Sequence, residues 1–389
     1  MAASPLFTQV AEPCGCSPSL LDNNLTSSPT LAAFSSRNKV TFLHPEQCRF
    51  FPGPQLGGQI FYLKYLRLFT GEHVLCVGFH GGTQIYSEDG SFLLHLVPLD
   101  TSAPNSANGG PGASANISAA MSGGEEDPSA PAVAAEHRMP CHRGACSLSL
   151  HQPGRQVLCF GDDVGVVHFC SYLCLQPGGG SFVSNSERIG FGDAAGVTCL
   201  ETVGRPAGVA ESSAPDQSSE LLVGYEDGAL TWWSVSGLHM DAPLSHEQLH
   251  HDSFDDVPVT IQSIIPPDAP SADNAAIATA VAFGSGRVLL YTGARERFAE
   301  IAAHGRWITG LAFDPVSRLL ASASEDTVLN VYRVDETSGV TMAHSSVVDT
   351  KLLTGLTWIT PQAPRADGST QPELAVVAYD SESYQRIKL

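Results

Sequence analysis

The sequence predicts an all-β chain folded as a single seven-bladed β-propeller, and three observations carry that prediction. A short apolar strand, a tight turn and an alternating strand recur seven times along the 389 residues. Six of the seven turns are acidic or glycine-containing, the chemistry that closes hairpins. Where the spacing between turns exceeds the roughly 40–45 residues of a blade, a stretch poor in apolar bulk fills the excess.

The hairpins come in order. Leu31–Ser36 turns at Arg37-Asn38 into Val40–His44, and His73–Phe79 turns at Gly81-Gly82 into Thr83–Tyr86. Gln156–Phe160 turns at Asp162-Asp163 into Gly165–Phe169, and Glu220–Tyr225 turns at Glu226-Asp227-Gly228 into Ala229–Trp233. Ala276–Phe283 turns at Gly284-Ser285-Gly286 into Arg287–Tyr291, and Leu319–Ser324 turns at Glu325-Asp326 into a strand ending at Tyr332. The last, Glu373–Tyr379, turns near Asp380-Ser381 into Ser383–Leu389. Residues 101–140 are mostly Gly, Ala, Ser and Pro, which cannot offset the entropy of ordering and are expected to be disordered. Residues 204–219 and 361–372 are expected to be smaller loop insertions of the same kind.

Each hairpin needs an innermost strand before it. Gln59–Leu68, Cys146–Leu150, Ala195–Thr202, Thr260–Ile265, Trp307–Phe313 and Leu352–Ile359 fit. The seventh blade runs out of chain after three strands. A ring leaves no open edge only if another segment fills the gap, and residues 5–10, with Leu6–Val10 at their core, are the natural donor. Residues 1–389 then form one domain.

Composition bounds the function. Hydrophobic residues make up 43% and charged residues 15%, with 40 acidic against 20 basic side chains and a net charge of −20. Nucleic-acid binding needs clustered Lys and Arg to displace counterions, so no nucleic-acid partner is expected. Ten cysteines lack a disulfide-framework spacing, and Cys76, Cys159 and Cys199 sit inside apolar strands, as reduced thiols of a cytoplasmic protein do. No signal peptide is read at the N-terminus, and the longest apolar run, Ala275–Phe283, is too short to span a membrane.

The run His304–Val334, HGRWITGLAFDPVSRLLASASEDTVLNVYRV, resembles a WD repeat. The resemblance implies structural roles for His304 at the blade entrance and Asp326 in the hairpin turn, with Ser322 as the hydroxyl between them. Tyr332 stands where a Trp is usual, and Arg333 where an Asp would follow. LLDNNLT, HVLCVGFHGGTQIYSEDGS and the C-terminal segments extend the resemblance over most of the chain outside the insertions. It implies a protein-interaction platform without catalysis or cofactor.

The residues point the same way. Asp163, Asp227 and Asp326 are suited to accept turn amides, as Asx turns do, and Trp233 and Tyr332 end their strands as packing residues. Asp162, Glu226 and Glu325 precede those aspartates, and Asp380 occupies the seventh turn. Propeller turns of this class emerge on one face, so these four acids are expected to form a collar suited to a basic peptide, the alternative being ordinary polar turns. Arg306 and Trp307 offer an exposed anchor of the kind enriched at interfaces, the alternative being a Trp307 tucked into its strand. His246, His250 and His251 read as a solvated loop, and Gly284-Ser285-Gly286 lacks the following helix and Lys of a phosphate loop.

Two other function classes are open. Cys141, His142 and Cys146, near His137, could serve a metal-dependent hydrolase, but structural zinc needs a second pair of ligands, which only Cys170 and Cys174 could supply. No G-x-S-x-G nucleophile motif is present. A peripheral subunit of a ciliary or vesicle transport assembly is the third class.

Overall fold

A computed structural model describes residues 8–14, 16–44, 49–99, 141–149, 154–176, 179–190, 195–203, 219–235, 245–250, 256–265, 277–335, 339–359 and 373–388. The expected insertions at 101–140 and 361–372, and 204–218 of the third, lie outside these residues.

Seven four-stranded antiparallel sheets make up the structure. Blade one comprises Thr26–Ser27, Ala32–Ser36, Lys39–His44 and Arg49–Gln55, from the axis outward. Blades two to six begin at Ile60, His142, Val197, Pro258 and Ile308. Blade seven comprises Leu353–Ile359, Glu373–Ala378 and Ser383–Lys388, completed by Thr8–Pro13. The innermost strands contact one another in succession, and the seventh returns to the first, closing the ring.

Closure comes from the N-terminal strand, which pairs antiparallel with Ser383–Lys388 from Thr8↔Lys388 to Pro13↔Ser383. The described strand overlaps the expected segment 5–10 at residues 8–10 and runs on to Pro13, residues 1–7 lying outside the described residues. Its alternating TQVAEP is mostly exposed, and Tyr384 and Arg386 of the paired strand both engage Glu12. The inner strand of blade one, only Thr26–Ser27, is too short to show a period. Ser245–His250 is the outer strand of blade four, not a loop: it pairs with Leu230–Ser234, and pairing to a formed sheet overrides its polar composition.

Burial follows the layering. Middle strands are covered by both neighbouring blades, and Leu319–Ser324 and Glu373–Ala378 are buried at every position. This is why they read as unbroken apolar or small-residue runs. Outer strands such as Arg297–Ala302 and Gly339–Val347 are largely exposed. Seven apolar clusters each bridge two adjacent blades, among them Phe34, Leu43, Val377 and Tyr384 across the seam where the chain's two ends meet. The core is therefore distributed around the ring.

Candidate functional site

The hairpin turns and the starts of the inner strands share one face. Backbone bonds from Glu325 N to Trp307 O, Glu226 N to Gly196 O and Asp163 N to Cys141 O tie each turn to its own blade's entrance. At the centre of this face opens a channel cavity of about 600 Å³, lined by inner-strand residues of all seven blades. A mouth cavity of about 520 Å³ shares Leu21, Asp22, Phe61, Arg143 and Trp307 with it.

The structural triad of blade six is assembled. His304 Nε2 lies 2.8 Å from Ser322 Oγ, and Nδ1 lies 3.2 Å from both carboxylate oxygens of Asp326. Asp326 also accepts the amides of Gly305 and Val328. Burial depresses the His304 pKa and Asp326 opposes that shift, so the neutral ring donates Nδ1–H to Asp326 and accepts the Ser322 hydroxyl proton at Nε2. Asp227 accepts the Ala229 amide at 3.0 Å while remaining exposed. Asp163 accepts the Cys141 amide at 3.1 Å, and Trp233 packs in the core between blades three and four.

The four-acid collar does not form as expected. Asp162 is only 2% exposed, and its carboxylate accepts the amides of Val164 and Val166 and contacts His168 Nε2 at 2.7 Å. In blade three the first acid of the turn therefore closes the hairpin, and Asp162 presents nothing to a partner. Glu226 and Asp380 are exposed and Glu325 half-buried, while Asp163 and Asp22 also face the mouth. Asp380 sits on the rim beyond the cavity, held in the left-handed region at φ 52° with its amide on Pro18 O. Arg306 is exposed, whereas Trp307 is half-buried and lines the mouth.

The structure separates Cys141, His142 and Cys146. The Cys141 thiol faces Asp163, His142 Nδ1 lies 2.8 Å from Thr83 Oγ1, and Cys146 is fully buried opposite Cys159. Burial pushes the Cys141 thiol up to about 11. Among the described residues no three Cys, His, Asp or Glu side chains converge as metal ligands, and His137 lies outside those residues.

Sequence reasoning missed the segment that shapes the mouth. After the closing strand, residues 16–25 run as a strap across the seam to blade one. Asn24 anchors it while fully buried: Oδ1 accepts the Ser35 amide and hydroxyl, each at 2.8 Å, and Nδ2 donates to Ser19 O and Ser35 O. Its amide donates to Thr354 O and that of Asn23 to Thr309 O. Gly355 makes room, since a Cβ there would lie 2.6 Å from Leu25 N. Asn23 adopts φ 53°, a left-handed conformation that Asn tolerates. This turn swings Asp22 inward, and the Trp307 indole N–H donates to Asp22 Oδ2 at 3.1 Å. The only sequence signal was Asp-Asn-Asn between apolar residues.

The mouth carries Trp307 on one wall and Phe61 on another, with Arg143 as well as Asp22, Asp163 and Glu325 lining it. On one side Trp307 lies against Gly284, where any Cβ would collide with the ring, and faces Asp22 and Glu325. On the other side the Arg143 guanidinium lies 5.5 Å over the Phe61 ring, and His80 meets that ring edge-on at 4.7 Å. Below, Lys64 Nζ and Glu201 Oε2 pair at 2.6 Å inside the channel. Burial disfavours the Lys64 charge, but Glu201, together with the nearby Cys146 and Cys199, leaves the pKa raised. Burial, reinforced by Glu325, pushes Asp22 up to about 6 against the Trp307 hydrogen bond.

No family model matches the chain, and no curated protein matches it. Among solved structures it is similar to a chain described as "Crystal Structure of Mitotic Checkpoint Complex", with a TM-score of 0.59 and 15% identity over 98% of this chain and 91% of that one. At that identity the likeness concerns the fold.

Proposed function

We propose that this chain is a non-catalytic scaffold that binds a basic peptide or loop of another protein on the face carrying the hairpin turns. One observation carries the reading: Asp22, Asp163, Glu226 and Glu325 line the two central cavities together with Trp307 and Phe61. Carboxylates around aromatic rings in a concave site give charge complementarity and an apolar anchor together. Leu20, 56% exposed on the strap, and Tyr379, 44% exposed beside Asp380, extend the apolar surface at the rim. The net charge of −20 favours approach of a basic partner from a distance.

Glu226→Lys combined with Glu325→Lys tests the reading, because among the described residues neither side chain makes a hydrogen bond or ion pair that the change would remove. A peptide array probed with both proteins should show basic-peptide signal falling about tenfold for the variant, with a smaller difference at high salt, where rim charges are screened. Equal signal for both proteins at all salt concentrations rejects the acidic face as the binding surface.

A further inference from the structure

We propose that the Trp307 side of the mouth is a receptor for a single guanidinium side chain, an arginine of the partner inserted against the indole ring and paired with Asp22. The inference rests on the acidic-face reading above and names the group that reads it out.

Three features built by separate parts of the chain converge there. The indole is immobilised, since Gly284 in the blade-five turn leaves room only for a ring lying on its backbone and Asp22 fixes the ring nitrogen. Asp22 uses one oxygen for that bond; among the described residues Oδ1 accepts no hydrogen bond, although the residue lines both cavities. Glu325 stands close enough to disfavour the Asp22 charge, so the apo site holds two carboxylates that repel. A cation between them relieves that repulsion and satisfies the vacant oxygen.

The geometry also selects the cation. Guanidinium is planar, stacks on an indole and donates in a fork matched to carboxylate. Ammonium is a more strongly hydrated point charge and gains less from the ring. The opposite wall already carries the same pairing, with Arg143 over Phe61, so the unfilled place is at Trp307. Glu325 in the blade-six turn interacts with Asp22 directly. The other charged or titratable groups lining the two cavities with it are Asp163 in the blade-three turn, Glu226 in the blade-four turn, Cys141 and Arg143 at the entrance of blade three, His80 in the blade-two turn and the Lys64–Glu201 pair.

The probe is an acetylated and amidated five-residue peptide with one arginine among alanines, compared with its citrulline and lysine counterparts. The readout is the indole N–H resonance of Trp307, one of four tryptophans, assigned by its loss in Trp307→Phe. The arginine peptide should shift it saturably, the citrulline peptide should not, and the lysine peptide should bind several-fold more weakly. Affinity should fall about tenfold from pH 7 to pH 5 as the carboxylate is titrated. Asp22→Asn keeps an oxygen for the indole and should abolish both the binding and its pH dependence, and Glu325→Gln should weaken binding.

A citrulline shift equal to that of arginine, lysine binding as tight as arginine, or Asp22→Asn binding unchanged overturns the inference. If basic peptides bind the acidic face on the array while the Trp307 resonance stays silent, this inference fails and the broader reading stands. Array binding indifferent to Glu226 and Glu325 overturns the broader reading, and this inference with it.

Discussion

Replacing Asp22 by Asn should change how the stability of this protein depends on pH. Asp22 is held by protein on most sides, burial is the largest cause of its raised pKa, and Glu325 adds repulsion, so it titrates at about 6 in the folded chain against 3.8 for a free side chain. Between those values the folded state holds a proton that the unfolded state has released. Stability contributed by the protonated group is therefore present in full below pH 3.8 and is lost as pH rises through about 6. From pH 4.5 to pH 8 the loss amounts to about 2 kcal/mol, at 1.36 kcal/mol per unit of displacement. Asn cannot titrate, so Asp22→Asn lacks this slope. Urea unfolding of both proteins at four pH values across that range isolates the effect of Asp22 and its coupling to Glu325, because groups that do not interact with Asp22 contribute equally to both curves. The stability of the variant minus that of the natural chain should rise by about 2 kcal/mol with increasing pH. Parallel curves, within about 0.5 kcal/mol throughout, would falsify the account of Asp22 as a carboxylate confined with Glu325. Glu325→Gln should lower the midpoint of the effect without removing it.

Two further outcomes follow from the strap and the seam. Asn24→Ala removes four side-chain hydrogen bonds, three of them buried, and takes the acceptor from the Ser35 amide and hydroxyl; at about 1 kcal/mol for each bond, a loss of about 4 kcal/mol should appear in chemical denaturation. Deleting residues 1–13 removes the outer strand of blade seven and uncovers the edge of Ser383–Lys388; thermal unfolding should shift down by several degrees and concentration-dependent association should appear in light scattering, as an unpaired strand edge invites.

The fold was legible because a propeller repeats one hairpin and the hairpin is local. Leu319–Ser324 and Ala276–Phe283 announce themselves as apolar runs, and Glu325-Asp326 and Glu226-Asp227-Gly228 as turns, with no knowledge of what packs against them. The site was less legible, because its geometry comes from contacts between residues far apart in sequence. Glu226, Glu325 and Trp307 were found because they occupy the repeat's own turn and entrance. Asp22 was not, because it meets Trp307 across 285 positions and belongs to no repeat. Asp162 misled for a related reason: in a two-acid turn, sequence does not say which carboxylate bends back to the amides. In blade three His168, opposite the turn on the next strand, draws in the first.

The blade corners explain why the His-Ser-Asp arrangement is plain in one blade and faint in the others. Blade six uses His304, Ser322 and Asp326. Blade five reverses the polarity: Asp256 precedes the inner strand and receives the Ser285 amide and hydroxyl and the Arg287 guanidinium, at 2.6–2.8 Å. Blade three substitutes Cys141 with Asp163, and blade seven Asp349 with Ser381. Each solution joins a turn to its blade's entrance, so the ring tolerates the exchange, but each leaves different side chains at the centre. A ring of identical corners would offer seven equivalent sites. Here one blade brings Trp307 to the mouth, and one strap, present once because the chain has one seam, brings Asp22 to meet it. The site is therefore single and off the axis, and a basic partner should bind with a stoichiometry of one per chain.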